Sequence, residues 1–294
     1  MNTEVEQMSE IIHISKEEQE KKWNELKLSD NFIFQKFMMN PENCKKVLSE
    51  ILGVEVIKVE YPVYERVVDI RPDAKSIRMD VYVEGDNTIY NVEMQCSDTE
   101  HIPKRSRYYQ DLIDLDLMEK GAHYSELNRC FVIFVCTFDY YGRGNYKYTF
   151  TNQCKEVDGL EFGDETAKII VNTKGNIGKV SQDFKDFINA VNGEFDKTGY
   201  SATIKSELER IKNNYGWRRE YMTLYLHEKQ MMWKSLQEGR AKGMEEGLAE
   251  GKAEGERIAI KRMLTKLSVD EIVELGYEKQ LVMSIAENKV RTEN

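Results

Sequence analysis

Asp80, Glu93 and Gln95 are the residues whose types and spacing could do chemistry. The segment IRMDVYVE (Ile77 to Glu84) alternates, with Ile77, Met79, Val81 and Val83 on one face and Arg78, Asp80, Tyr82 and Glu84 on the other, as a half-buried strand does. After Gly85-Asp86-Asn87, the run TIYNVEMQ (Thr88 to Gln95) alternates again and puts Ile89, Asn91, Glu93 and Gln95 on one face. A two-residue turn at Asp86-Asn87, residue types that tolerate positive φ, sets Asp80 directly opposite Glu93, with Gln95 two residues further along. The Cβ atoms of such a pair lie about 5 Å apart, where two carboxylates repel by about 3 kcal/mol at an effective dielectric of about 20. A hard divalent cation held by oxygen would offset that repulsion. Register decides the matter, because a slip of one residue sends one carboxylate to the opposite face. Charged strand residues also commonly mark nothing more than a solvated face, and short triplets recur by chance.

The elements around the hairpin narrow the choice. From Ser29, read as an N-cap, SDNFIFQKFMM is helical. Asn40-Pro41 ends it and starts PENCKKVLSEIL, which stops at Gly53. VEVIKVEYPVYER (Val54 to Arg66) reads as a strand interrupted by Pro62, ahead of a loop through Arg71-Pro72-Asp73-Ala74 and then the hairpin. Between Pro103 and Lys120 the apolar residues Tyr109, Leu112, Ile113, Leu117 and Met118 fall near helical spacing, and Gly121 supplies a stop. RCFVIFVCTF (Arg129 to Phe138) is a continuous apolar run, as expected of a strand buried on both faces. A strand, a helix and a second buried strand imply a parallel crossover. The order is αβββαβ, an α/β fold with a mixed sheet and the carboxylates on central strands beside a basic helix.

Composition sets outer bounds. At 294 residues the chain suggests about two domains. The net charge of −10 means that any nucleic-acid contact must use a local basic patch. Five cysteines without CxxC spacing and four scattered histidines indicate neither a disulfide framework nor a zinc site. The absence of an apolar run near the roughly 20 residues of a membrane span, with a charged start (MNTEVEQMSE), predicts no membrane segment, no secretory signal and a cytoplasmic location.

The order αβββαβ, with Asp on the second strand and Glu-x-Gln on the third, resembles the PD-(D/E)xK nuclease superfamily, whose core is restriction-endonuclease-like. More narrowly, the stretch from LSDNFIFQKFM through SIRMDVYVE, YNVEMQ and RSRYYQDLI to FVIFVCTFD resembles the recombination-promoting nuclease/transposase family of bacteria, from about Leu28 to Gly175. The resemblance implies a Mg²⁺-dependent DNA endonuclease, with Mn²⁺ able to substitute, linked to recombination or mobile elements. It assigns Asp80 and Glu93 as metal ligands and places Gln95 where a catalytic lysine usually stands. Glutamine supplies hydrogen bonds in place of a cation, and its expected part is to position the attacking water. The Met94 backbone carbonyl is a further candidate ligand, and Glu50, on the helix before the sheet, is another. Lys104, Arg105 and Arg107 are candidates for binding DNA phosphates, because basic charge near a helix N-terminus opposes the macrodipole and is not there for helix stability. Pro72-Asp73 is a literal Pro-Asp, but Asp73 sits in a proline-bounded loop where aspartate is an ordinary turn former, and Asp69 fails on the same ground.

The expected organisation is a polar lead over 1–27, either a frayed helix or disordered, the nuclease-like domain over 28–195, a helical region over 196–236 and a C-terminal segment over 237–294. In the last, glycines recur every four residues at 239, 243, 247, 251 and 255. Each costs about 1 kcal/mol inside a helix, so the stretch reads as a glycine groove for a partner helix, giving a homodimer, or as a flexible tether. Ser268 and Glu271 fit a capping box that opens a short helix, and a second follows Gly276. The pair could read DNA as a helix-turn-helix, but the acidity of the second helix favours a helical cap. The alternative to an enzyme is a catalytically weak or inactive DNA-binding and oligomerisation module that keeps the nuclease fold.

Overall fold

The computed structural model describes residues 14–68, 77–85, 87–97 and 101–292. They divide into two compact units, one from Ser15 to Met222 and one comprising Ile14 and the chain from Thr223 onward. Residues 196–222, assigned above to a separate helical region, therefore belong to the same compact unit as the sheet.

The first unit is built on a six-stranded mixed sheet of β1 (Glu60–Val68), β2 (Ile77–Gly85), β3 (Thr88–Gln95), β4 (Arg129–Cys136), β5 (Lys147–Phe150) and β6 (Thr166–Asn172). Their order across the sheet is β1-β2-β3-β4-β6-β5. The first three strands are antiparallel to one another, β3, β4 and β6 run parallel, and β5 pairs antiparallel with β6 at the edge. The strand near Pro62 begins later than read from sequence, and its register with β2 shifts between Glu60 and Val63, as expected where a proline cannot donate to the ladder.

Apolar alternation sends the two sheet faces to different partners. Val81, Val83, Val92, Met94, Ile133, Val135 and Val171 form one core with helices α1 (Lys16–Glu25), α2 (Asn31–Met38), α3 (Pro41–Leu52), α5 (Gln182–Asn192) and α6 (Gly199–Lys212). Ile89, Val132, Phe134 and Ile170 form the other with α4 (Ile102–Leu117), through Ile102, Tyr109, Leu112 and Ile113. Glu93 and Gln95 share the Ile89 side of β3, so the carboxylate face is the one that α4 covers.

Local signals place the helix ends. Asn40 caps α3 through the Glu42 N–H, Pro41 takes its first position, and Gly53 closes it at φ 75°. The preceding helix starts at Asn31 rather than after Ser29, because the Asp30 carboxylate accepts the Lys27 N–H at 2.6 Å and closes a turn first. The α4 helix ends at Leu117, short of the Lys120 expected. Residues 16–25 of the presumed lead form α1: Trp23 is buried, and its indole N–H donates to the Lys212 carbonyl at 2.9 Å. Residues 1–13 lie outside the described residues.

The hairpin register is as read: Gly85 pairs with Thr88, and Asn87 takes φ 57°, while Asp86 lies outside the described residues. Gly85 is needed for close approach, since a Cβ there would lie 2.1 Å from the Lys58 carbonyl oxygen. Gly85→Ala is expected to lower unfolding stability by about 1–3 kcal/mol, read as a shift in the urea midpoint, and an unchanged midpoint would contradict the close approach.

Helix α7 (Tyr215–Met263) starts in the first unit and continues into the second, through all five period-four glycines. A Cβ at each of those glycines would meet nothing within 4 Å. The α8 helix (Val269–Glu274) opens on the Ser268/Glu271 capping box. With α9 (Lys279–Thr292) it closes a small core of Ile260, Ile272, Val282 and Ile285. Among the described residues no helix is long and apolar enough to cross a membrane.

Candidate active site

Strand register brings the two carboxylates together. Val81 pairs with Val92, and continuing that ladder by one step sets Asp80 against Glu93. Each carboxylate then accepts a backbone N–H from the other strand. The Asp80 N–H donates to Glu93 Oε1 and the Met94 N–H to Asp80 Oδ2, both at 3.1 Å. Asn31 at the start of α2 approaches Asp80 Oδ1 with its Nδ2 at 3.5 Å. Side-chain exposure is slight at all three strand positions: Asp80 is 8 % exposed, Glu93 1 % and Gln95 7 %. These residues are no solvated strand face.

Burial has an electrostatic consequence. Loss of solvation, and then the neighbouring Asp80 charge, push the Glu93 carboxyl up to about 7, against the pull of the Arg105 guanidinium. Arg105 is the one cation in contact with Glu93 among the described residues, its Nη2 lying 2.7 Å from Glu93 Oε2. The same guanidinium donates from Nη1 to Gln95 Oε1 at 2.9 Å and from Nε to the Tyr109 hydroxyl at 2.9 Å. Its carbon lies 5.1 Å from the Tyr109 ring centre and 5.0 Å from that of Phe134, within cation–π range. Burial pushes Tyr109 up to about 12, so its phenol stays neutral. The Gln95 amide is held at both ends, because its Nε2 donates to the Ser97 carbonyl at 2.6 Å.

The remaining candidates separate clearly. Lys104 and Arg107 are exposed on α4, whereas Arg105 turns inward. Arg105 shares a helical face with Ile102, Tyr109, Leu112 and Ile113, and the packing of that face on the sheet is what brings it, and not its basic neighbours, to Glu93. Glu50 is not brought to the pair. Its carboxylate is taken by Lys46 at 2.8 Å and by the Ser181 hydroxyl, and Lys46 also pairs with Asp183. Among the described residues no third acidic, histidine or cysteine side chain forms a metal-holding cluster with Asp80 and Glu93. Asp69 and Asp73 lie outside the described residues. The Met94 carbonyl is better placed. Gln95 spends its own carbonyl on the Thr137 N–H beyond β4, so strand alternation turns the peptide groups of Met94 toward β2, where its N–H already meets Asp80.

The donor chemistry suits a hard divalent cation: two facing carboxylates on adjacent strands and a carbonyl beside them, all oxygen. Buried side by side, the two carboxylates repel each other when both are ionised.

A mixed sheet in the order αβββαβ, with acidic residues on its second and third strands, defines the PD-(D/E)XK nuclease class of α/β fold. A family model described as PD-(D/E)XK nuclease family transposase matches residues 28–174, half of the chain, and the protein belongs to that family. Searches of curated proteins and of solved structures return no match.

Proposed function

We propose that this chain is a metal-dependent DNA endonuclease that hydrolyses phosphodiester bonds, linked to DNA recombination or mobile elements. The observation that carries the reading is the buried Asp80–Glu93 pair, interlocked through each other's strand N–H groups. Asp80, Glu93 and the Met94 carbonyl would hold Mg²⁺, with Mn²⁺ able to substitute, which would supply Lewis-acid activation of the scissile phosphate and of a water. The protein's own part is preorganisation: both carboxylates are oriented before substrate arrives, and little reorganisation is left for the reaction. The ExQ variation favours a second reading, a DNA-binding or assembly module without catalysis, because the position two residues after Glu93 holds Gln95 and not lysine.

Cleavage of supercoiled plasmid at low salt, with Mg²⁺, with Mn²⁺ and with a chelator, separates the two. Nicking that requires the metal is the expected result. Binding of DNA without cleavage under every metal condition would favour the module.

Lys104 and Arg107 are proposed to contact phosphates flanking the cut. The double change to alanine is expected to weaken DNA binding and to reduce the slope of log affinity against log salt by about 2, with single-turnover cleavage at saturating protein nearly unchanged. An unaltered salt slope would remove them from the interface. The proposed homodimer uses the glycine stripe of α7, and sedimentation of the full chain with Gly243→Leu and Gly247→Leu tests it, loss of the dimer being the expected outcome.

A further inference from the structure

We propose that Arg105 carries the positive charge that a lysine at position 95 would carry, and that Gln95 is the positioning residue that holds it there. The inference rests on the nuclease reading above and assigns the cation that reading lacks.

Three observations converge. The guanidinium spans both members of the Glu-x-Gln pair, with Nη2 on Glu93 Oε2 at 2.7 Å and Nη1 on Gln95 Oε1 at 2.9 Å. Its remaining edge and both of its surroundings are fixed by the protein, through Nε on the Tyr109 hydroxyl at 2.9 Å and the rings of Tyr109 and Phe134. A planar fork held at three points, with a side chain only 20 % exposed, is a preorganised charge and not a solvated phosphate hook. Finally, the Gln95 amide is already engaged at both ends, its oxygen on Arg105 and its nitrogen on the Ser97 carbonyl, which suits a strut better than a water-orienting group.

The residue at 95 follows from this geometry. A lysine there would place an ammonium within hydrogen-bonding reach of a guanidinium. Two like unit charges at that separation in a largely buried site repel strongly. Glutamine of similar length offers the guanidinium a neutral acceptor instead. The positive charge has moved from the strand to the helix that packs over it. It remains beside Glu93, where charge develops on the phosphate during hydrolysis. The competing interpretation is that Arg105 only neutralises Glu93 to hold the fold together. That interpretation predicts no transfer of the charge between positions.

The test uses the full chain and single-turnover cleavage at saturating protein and Mg²⁺, alongside DNA affinity and thermal unfolding. Arg105→Met keeps an apolar stem against Tyr109 and Phe134 and removes the charge. Its cleavage rate is expected to fall by about 100-fold or more, with DNA affinity changed less than about threefold. Gln95→Lys alone is expected to lower the rate, because two cations then compete for one place, whereas a simple return to the usual lysine would raise it. The double variant Gln95→Lys/Arg105→Met restores a single cation and is expected to cleave at least about tenfold faster than Arg105→Met. A folded Arg105→Met that cleaves within threefold of wild type, a loss that appears only as weaker DNA binding, or a rate raised by Gln95→Lys alone would each overturn the proposal. Should Arg105→Met not fold, the rate of Gln95→Lys decides. Wild type that fails to cleave would defeat the nuclease reading itself. Active wild type, inactive Asp80→Asn and active Arg105→Met would defeat this inference alone.

Discussion

Asp80→Asn is expected to reduce metal-dependent DNA cleavage by about a thousandfold or more, the largest effect of any single substitution proposed. The variant is nearly isosteric. Its side-chain oxygen still accepts the Met94 N–H, so the β2–β3 junction keeps the hydrogen bond that sets the site. What disappears is one of two buried negative charges. With it go one proposed metal ligand and the repulsion that acts on Glu93. Folded stability without metal should therefore hold or rise, because the buried Asp80 carboxylate is costly to desolvate and repels Glu93, whereas a buried, hydrogen-bonded amide costs much less. Loss of activity together with an unfolding temperature equal to or above that of wild type separates a ligand from a structural residue. Plasmid cleavage and thermal unfolding of the same preparation measure both. An Asp80→Asn protein that nicks DNA at a rate close to wild type would end the metal-ligand assignment.

Second in size is a pH effect on the metal-free protein. Glu93 ionises near 4.5 when unfolded and is pushed up to about 7 in the fold. Between those values the folded state binds more protons than the unfolded one, so stability falls as pH rises through the window. The contribution is complete below about 4.5 and gone above about 7, and it amounts to something on the order of 3 kcal/mol. Glu93→Gln removes that titration and should flatten the profile, although its absolute stability also reflects the lost ion pair with Arg105. Urea unfolding at pH 5 and pH 7.5 in a chelator, wild type against Glu93→Gln, measures the difference in slope. Equal slopes for the two proteins would show that Glu93 does not titrate in this window. A metal held at the proposed site would act in the opposite sense. A cation competes with the Glu93 proton, so added Mg²⁺ should stabilise the protein more strongly as pH rises through about 7. At a hundredfold excess over its dissociation constant it adds about 2.7 kcal/mol.

Much of this site could be read from local pattern. The facing of Asp80 and Glu93 follows from two period-two segments joined by a turn whose residues accept positive φ, and the observed ladder has that register. Helix limits at Asn40-Pro41, Gly53 and Ser268 to Glu271 were legible for the same kind of reason, since caps are decided by residues three or four positions apart. The buried run of β4 announced a strand covered on both faces. All of these are short-range rules.

Other features depended on contacts between distant parts of the chain. Glu50 looked as available as any helix carboxylate, and what occupies it is Lys46 one turn away together with Ser181, which lies 131 residues further on. The polar lead yields a helix because Trp23 reaches the Lys212 carbonyl, 189 residues distant. Arg105 read as one of three basic residues within four positions. Its separation from Lys104 and Arg107 required knowing which face of α4 lies on the sheet, which the packing of Ile102, Tyr109, Leu112 and Ile113 settles. The sequence by itself determined the strands, their register and the pair of carboxylates, because alternation and turn chemistry act over a few residues. The tertiary structure decided which cation meets them and which candidates are drawn elsewhere, because the phase of a helix over a sheet is set by packing rather than by spacing along the chain.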